Sequence, residues 1–150
     1  MWKLPEGTRF LQPEDRRAHF EPDGLLRGRV EFEEILAFHE PWRARYTLLR
    51  VFEGEIVAAA CFEVREADLF VDYLLRNATF HRDARVLGAS TLLGALEGLC
   101  RVLGRPTIRL ECVNDPRSLS WYERVGFVRE GAPYDRPGWG FLHPMVKRVQ

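Results

Sequence analysis

Two stretches of the chain place reactive groups at spacings that could do chemistry. The first is Arg85-Val86-Leu87-Gly88-Ala89-Ser90, between a strand and a long helix. Backbone N–H groups at a helix N-terminus lack intrahelical acceptors and carry the positive end of the dipole, so they suit an anion such as a phosphate. Small residues at Gly88, Ala89 and Ser90 would let the anion approach the backbone, and Arg85 could add charge. A bland tight strand-to-helix turn accounts for the same spacing. The second stretch runs from Asn114 to Phe127 and contains Trp121-Tyr122-Glu123. Tyr122 falls with Leu119 on the inward face of its helix, where its spacing is that of a core aromatic. Two carboxylates add a third element. Asp72 interrupts an apolar run and Glu63 sits near the end of another, and either could act as a general base if it faces a cleft.

The elements that position these groups follow from hydrophobic periodicity. Thr8 to Leu11 reads as a short strand, followed by a helical segment near Asp15–Phe20 that Pro22-Asp23-Gly24 breaks. Phe32, Ile35, Leu36 and His39 fall on one helical face, and Pro41 ends that helix. Tyr46–Phe52 and Ile56–Val64 flank the turn Glu53-Gly54-Glu55 and read as a hairpin, with Leu69–Leu75 as a third strand. Leu92, Leu93, Leu96, Leu99, Cys100 and Leu103 keep a helical period, stopped by Gly104 and Pro106. Gly94 and Gly98 in this helix point to close packing on the sheet. Ile108, Leu110 and Cys112 alternate with Arg109 and Glu111 as a strand. Asp115-Pro116 is an N-cap and N1 pair for a helix that ends at Gly126. Phe127–Arg129 and Phe141–Val149 read as final strands. The order predicts a mixed α/β or α+β fold, one sheet with helices on its faces.

Composition bounds the function. The 150 residues suit one domain, 1–150, with 46% hydrophobic residues for a core. Lys+Arg and Asp+Glu both number 22, so the zero net charge argues against a general grip on nucleic acid or anionic lipid. On the same ground the basic cluster Arg43, Arg45 and Arg50 reads as solvated. The N-terminal residues form no apolar signal segment, and the longest apolar run, Ile56 to Phe62, is far short of the ~20 residues of a membrane span. The three cysteines, Cys61, Cys100 and Cys112, have neither disulfide nor zinc spacing and read as buried thiols. A soluble cytoplasmic protein with no metal is expected.

The two stretches, in this order and joined by an amphipathic helix and a strand, resemble the GNAT superfamily of acyl-CoA-dependent N-acetyltransferases. Arg85-x-x-Gly88-x-Ser90 is similar to that superfamily's pyrophosphate loop, and Tyr122-Glu123-x-x-Gly126-Phe127 to its closing motif. The resemblance covers residues 46–149 well and residues 1–45 only in plan. It implies a central mixed, mostly antiparallel sheet flanked by about four helices, with the middle strands splayed around acetyl-CoA. It further implies that the backbone of Arg85, Val86, Leu87, Gly88, Ala89 and Ser90 holds the pyrophosphate, and that Thr79 and Phe80 offer main-chain groups to the pantetheine arm. Asn114 or Asp115 would sit on the other side of that arm. Counting back from Tyr122 favours Asp115, and counting from the strand end favours Asn114. Tyr122 would protonate the leaving thiolate. The segment carrying Tyr134, Trp139, Phe141 and His143 would border the acceptor pocket or a homodimer contact.

The expected activity is direct acetyl transfer from acetyl-CoA to a primary amine, on a small molecule or a peptide, with Tyr122 and Asp72 as catalytic groups. Val86 and Leu87 stand where the superfamily usually has a glycine and a basic residue, which motivates a second reading: a non-catalytic acyl-CoA-binding or partner-binding module. A third reading is an unrelated phosphate-ligand protein sharing only the strand–loop–helix element.

Overall fold

The computed structural model describes residues 2–22, 29–78 and 88–149. Four strands come first: β1 (Thr8–Phe10), β2 (Arg45–Phe52), β3 (Glu55–Val64) and β4 (Asp68–Arg76), with α1 (Phe32–Phe38) between β1 and β2 in the chain. Then follow α2 (Gly88–Leu103), β5 (Thr107–Val113), α3 (Pro116–Arg124), β6 (Val128–Arg129), β7 (Tyr134–Arg136) and β8 (Gly140–Arg148). The eight strands among the described residues form one sheet of order β1-β2-β3-β4-β5-β8-β6, with β7 beside β8. Every pairing is antiparallel except β4 with β5, which α2 connects as a crossover. Among the described residues no helix is long and apolar enough to cross a membrane.

Two cores cover the two faces of the sheet. Leu48, Phe62, Leu69, Val71, Ile108 and Leu110 pack with Leu92 and Leu96 of α2 and Leu119 of α3. Leu49, Ala59, Cys61 and Leu75 pack with Ile35 and Phe38 of α1. Leu69 and Val71 thus face α2, while Leu75, of the same parity, faces α1. The inversion comes from a bulge: Cys61 pairs with Tyr73 and Phe62 with Val71, leaving Asp72 with no partner on β3.

The fold departs from the sequence expectation at several places. The described residues hold three α-helices rather than about four, plus 3-10 turns at Pro13–Arg17 and Pro41–Arg43. The first of these replaces the helix expected near Asp15–Phe20. The Asp15 carboxylate accepts from the Gln12 N–H and from Arg9, both at 2.7 Å, which ties the segment to β1 and closes a tight turn. The loop before β8 contains β7, whose three exposed residues carry no apolar alternation. Arg45 is not simply solvated, since it pairs with Glu40 at 3.7 Å and Glu63 at 3.6 Å. Arg50 donates to the Val51 carbonyl at 2.9 Å. The three cysteines are buried and unpaired, as expected.

The glycines of α2 separate by role. A Cβ on Gly88 would lie 2.8 Å from the Ala58 Cβ, so this glycine lets the helix start directly on β3. Gly98 was expected to pack on the sheet, but a Cβ there would meet the Trp2 indole at 2.6 Å. Gly94 faces open space. Gly88→Ala is therefore expected to destabilise the fold by about 1–3 kcal/mol through overpacking against a rigid neighbour. Gly94→Ala should stabilise it by about 1 kcal/mol through helix propensity. Urea denaturation of both variants checks this, and the same sign of change in both would contradict it.

Candidate active site

The bulge at Asp72 lies where the sheet opens. β4 and β5 pair in parallel from Asp68–Thr107 to Val71–Leu110 and no further. Beyond that point β4 stays bonded to β3, and β5 to β8. Their facing edges are free of each other, and a cleft of about 1550 Å³ separates them. Unpaired strand edges hold N–H and C=O groups in register, so an extended polar ligand can satisfy them as a strand would.

The first residues past the last pair are Asp72 on β4 and Glu111 on β5, and both line the cleft. Glu111 points away from the α2 face, because Leu110 and Cys112 beside it pack there. Asp72 lies beside Cys61 and Glu63, on the face that α1 covers. The Tyr134 phenol donates to the Glu111 carboxylate. Two carboxylates therefore flank the apex of the opening on one face. Tyr122 approaches from the other. It packs against the α2-side core, edge-on to Phe127 with ring centroids 5.5 Å apart, and lines the cleft.

The expected site residues divide as follows. Gly88, Ala89 and Ser90 form the first turn of α2 at the cleft, and Ser90 is exposed there. Gly88, expected to open the backbone to an anion, is also needed for contact with Ala58. Asp115 lines the cleft, and its carboxylate caps α3, accepting from the Ser118 N–H at 3.1 Å and the Ser118 hydroxyl at 2.9 Å. Asn114 is engaged elsewhere, hydrogen-bonded through Oδ1 to His143 Nε2 at 3.0 Å. Thr79, Phe80, Arg85, Val86 and Leu87 lie outside the described residues. Tyr134 and Trp139 of the β7–β8 hairpin line the cleft, as does Arg136, which sequence reasoning did not single out. Nor did it single out Glu111, which reads as one polar residue of an alternating strand. Only the β4–β5 register reveals it.

No protein-family model matches the sequence, and no curated protein sequence matches it significantly. Solved structures do resemble it. The ribosomal-protein-S18-alanine N-acetyltransferase from Escherichia coli superposes with a TM-score of 0.69 at 16% identity, covering 95% of this chain and 93% of that one. Ard1 from Thermoplasma volcanium gives 0.68 at 17% identity, covering 95% and 97%. An aminoglycoside 6'-N-acetyltransferase complexed with coenzyme A gives 0.65 at 17% identity, covering 79% of each chain. The chain has the GNAT fold.

In this GNAT-fold cleft the electrostatics single out Asp72. Burial pushes its carboxyl up to about 7, and the neighbouring Glu63 carboxylate adds to the rise against the opposing pull of Arg45 and Arg65. Its Oδ2 is buried with no hydrogen-bond partner among the described residues. Burial likewise raises the Tyr122 phenol well above its usual value, so it stays protonated at neutral pH. Ser118 holds the Asp115 carboxylate below its usual range, which fits a capping role.

The raised Asp72 value has a consequence for stability. The folded state binds the proton more tightly than the unfolded chain, where an aspartate titrates near ~4. Stability from this group is complete below pH ~4 and is lost as pH rises through about 7. Asp72→Asn mimics the protonated form and escapes that loss. The variant should melt higher than the parent at pH 8, with the difference vanishing near pH 4. Thermal melts across that range check this, and a lower Tm for the variant at pH 8 would contradict it.

Proposed function

We propose that the protein is an N-acetyltransferase that transfers the acetyl group of acetyl-CoA directly to a primary amine. The observation that carries this reading is the placement of its groups on opposite faces of one opening. Asp72 and Glu111 stand on the α1 side and Tyr122 on the α3 side, where β4 and β5 part. A thioester lying between the strands would meet an amine from one face and release its thiolate toward the other. The GNAT fold and the coenzyme A in one of its structural relatives support the choice of donor.

The chemistry follows from the groups present. The amine must lose a proton to attack, and Asp72, poised near neutrality, accepts it directly or through water. Glu111, held by Tyr134, adds negative potential that draws the ammonium form to the apex. Attack on the thioester carbonyl forms the new C–N bond, and collapse of the tetrahedral intermediate breaks the C–S bond. Tyr122 gives its proton to the departing thiolate. Its high pKa keeps that proton available throughout the neutral range. The unpaired edges of β4 and β5 would hold the pantetheine arm. The first-turn amides of Gly88, Ala89 and Ser90, continuing Arg85 to Leu87, would hold the pyrophosphate, with a helix of 16 residues behind them. Thr79, Phe80 and Asp115 are assigned to the arm's two sides. Asn114 is assigned a supporting role through His143. A cytoplasmic location is part of this reading.

Tyr122→Phe removes the proton donor and leaves the ring packing on Phe127. The variant should lose about 100-fold in kcat. KM for acetyl-CoA should stay within about twofold, because the phenol acts on the leaving group rather than on binding. A steady-state assay of thiol release reads both. Parent-like kcat in the variant would remove Tyr122 from the mechanism.

A further inference from the structure

The α1-side mouth of the cleft carries charge of a second sign. Trp139, at the turn of the β7–β8 hairpin, lines the cleft with Arg136, whose guanidinium carbon is 5.9 Å from the ring centroid, and Arg29, outside the lining residues, approaches the same ring at 5.7 Å. Arg29 also donates to the Gly138 carbonyl at 3.4 Å, which ties the segment before α1 to the hairpin. Both arginines are exposed, and among the described residues neither has a carboxylate partner. Other cations on this side are committed: Arg45 and Arg65 pair with Glu63, and Arg109 pairs with Asp68 and Glu130. Burial, with the charges of Glu34 and Asp72, pushes the Tyr73 phenol up, and Arg136 opposes them. Two exposed guanidiniums beside one indole, without a carboxylate partner among the described residues, suit a carboxylate or phosphate.

The register sets the distance between the two charge zones. Tyr134 touches Glu111 at the apex, and Arg136 follows two residues along the same strand. Two strand residues span about 6.8 Å. We infer that the acceptor is zwitterionic: its amine enters between Asp72 and Glu111, while an anionic group roughly 7 Å away lies on Arg136 and Arg29. This rests on the acetyltransferase reading and narrows it. A polycationic amine would place its second charge against Arg136 and Arg29. A free α-amino acid holds its carboxylate too close to the amine to reach them. An ω-amino acid, or a peptide N-terminus followed by an acidic side chain, has the required reach.

Three probes with one alkyl amine and different far ends test this: 6-aminohexanoate, hexylamine and 1,6-diaminohexane, titrated calorimetrically into the intact protein. The expected order is 6-aminohexanoate tightest, about tenfold ahead of hexylamine, with the diamine weakest. Arg136→Gln should erase that tenfold gap while leaving hexylamine unchanged. A short amidated peptide with a free N-terminus and a glutamate two residues on, compared with its lysine counterpart, separates a peptide source from a small molecule. Equal binding of the three probes, preference for the diamine, a gap that survives Arg136→Gln, or no saturable binding of 6-aminohexanoate would each overturn the inference. Acetyl-CoA titrated into the same sample keeps the two readings apart. If it binds and the diamine is preferred, only the zwitterionic acceptor fails. If it does not bind, the acetyltransferase reading fails and takes this inference with it.

Discussion

The structure depends on one interruption of hydrogen bonding. β4 and β5 are neighbours in the middle of the sheet, yet their parallel pairing stops after Val71–Leu110. The extra residue at Asp72 reverses which face the rest of β4 presents, so Leu75 packs under α1 rather than α2. Each strand keeps its outer partner, so the sheet remains whole while its centre opens. The sheet is left with two inner edges that no longer bond to each other, an arrangement that is costly in a core and useful beside a ligand. The described groups proposed for proton transfer stand around that opening, two carboxylates at its apex and a phenol across from them, with the start of α2 at its side.

The same residue shows the tension between folding and function. Asp72 occupies a bulge among apolar neighbours and beside another carboxylate, and its charged form is disfavoured there. A residue chosen for stability alone would be apolar or an amide. A carboxylate held near neutrality beside a cleft is what the proposed proton-accepting role requires. By contrast, Asp115 and the Arg109–Glu130 pair hold their ionised forms through hydrogen bonds at the surface, which serves local geometry.

Much of this was legible from the sequence where the physics is local. The period of α2, the Asp115-Pro116 start of α3 and the hairpin around Gly54 each depend on residues a few positions apart. Their places in the structure follow closely. The inward face of Tyr122 was legible for the same reason. What escaped depends on distant partners. Alternation in β5 tells which residues share a face, but not that Glu111 stands next to the last pair with β4. The bulge at Asp72 needs the β3 register, and β7 exists only because β8 offers an edge to three otherwise unpatterned residues. Gly98 was readable as a close approach, but not that the approaching group is Trp2, almost a hundred residues away in the chain.

The central claim is that the opening between β4 and β5 is an acetyl-CoA site. Titration calorimetry with acetyl-CoA, using desulfo-CoA and ATP as comparisons, addresses it most directly. The account predicts saturable, micromolar binding of acetyl-CoA, comparable binding of desulfo-CoA, and much weaker binding of ATP, because the strand edges recognise the pantetheine arm that ATP lacks. No binding of acetyl-CoA at millimolar concentration, or binding no tighter than that of ATP, would contradict it and leave the cleft without its proposed donor.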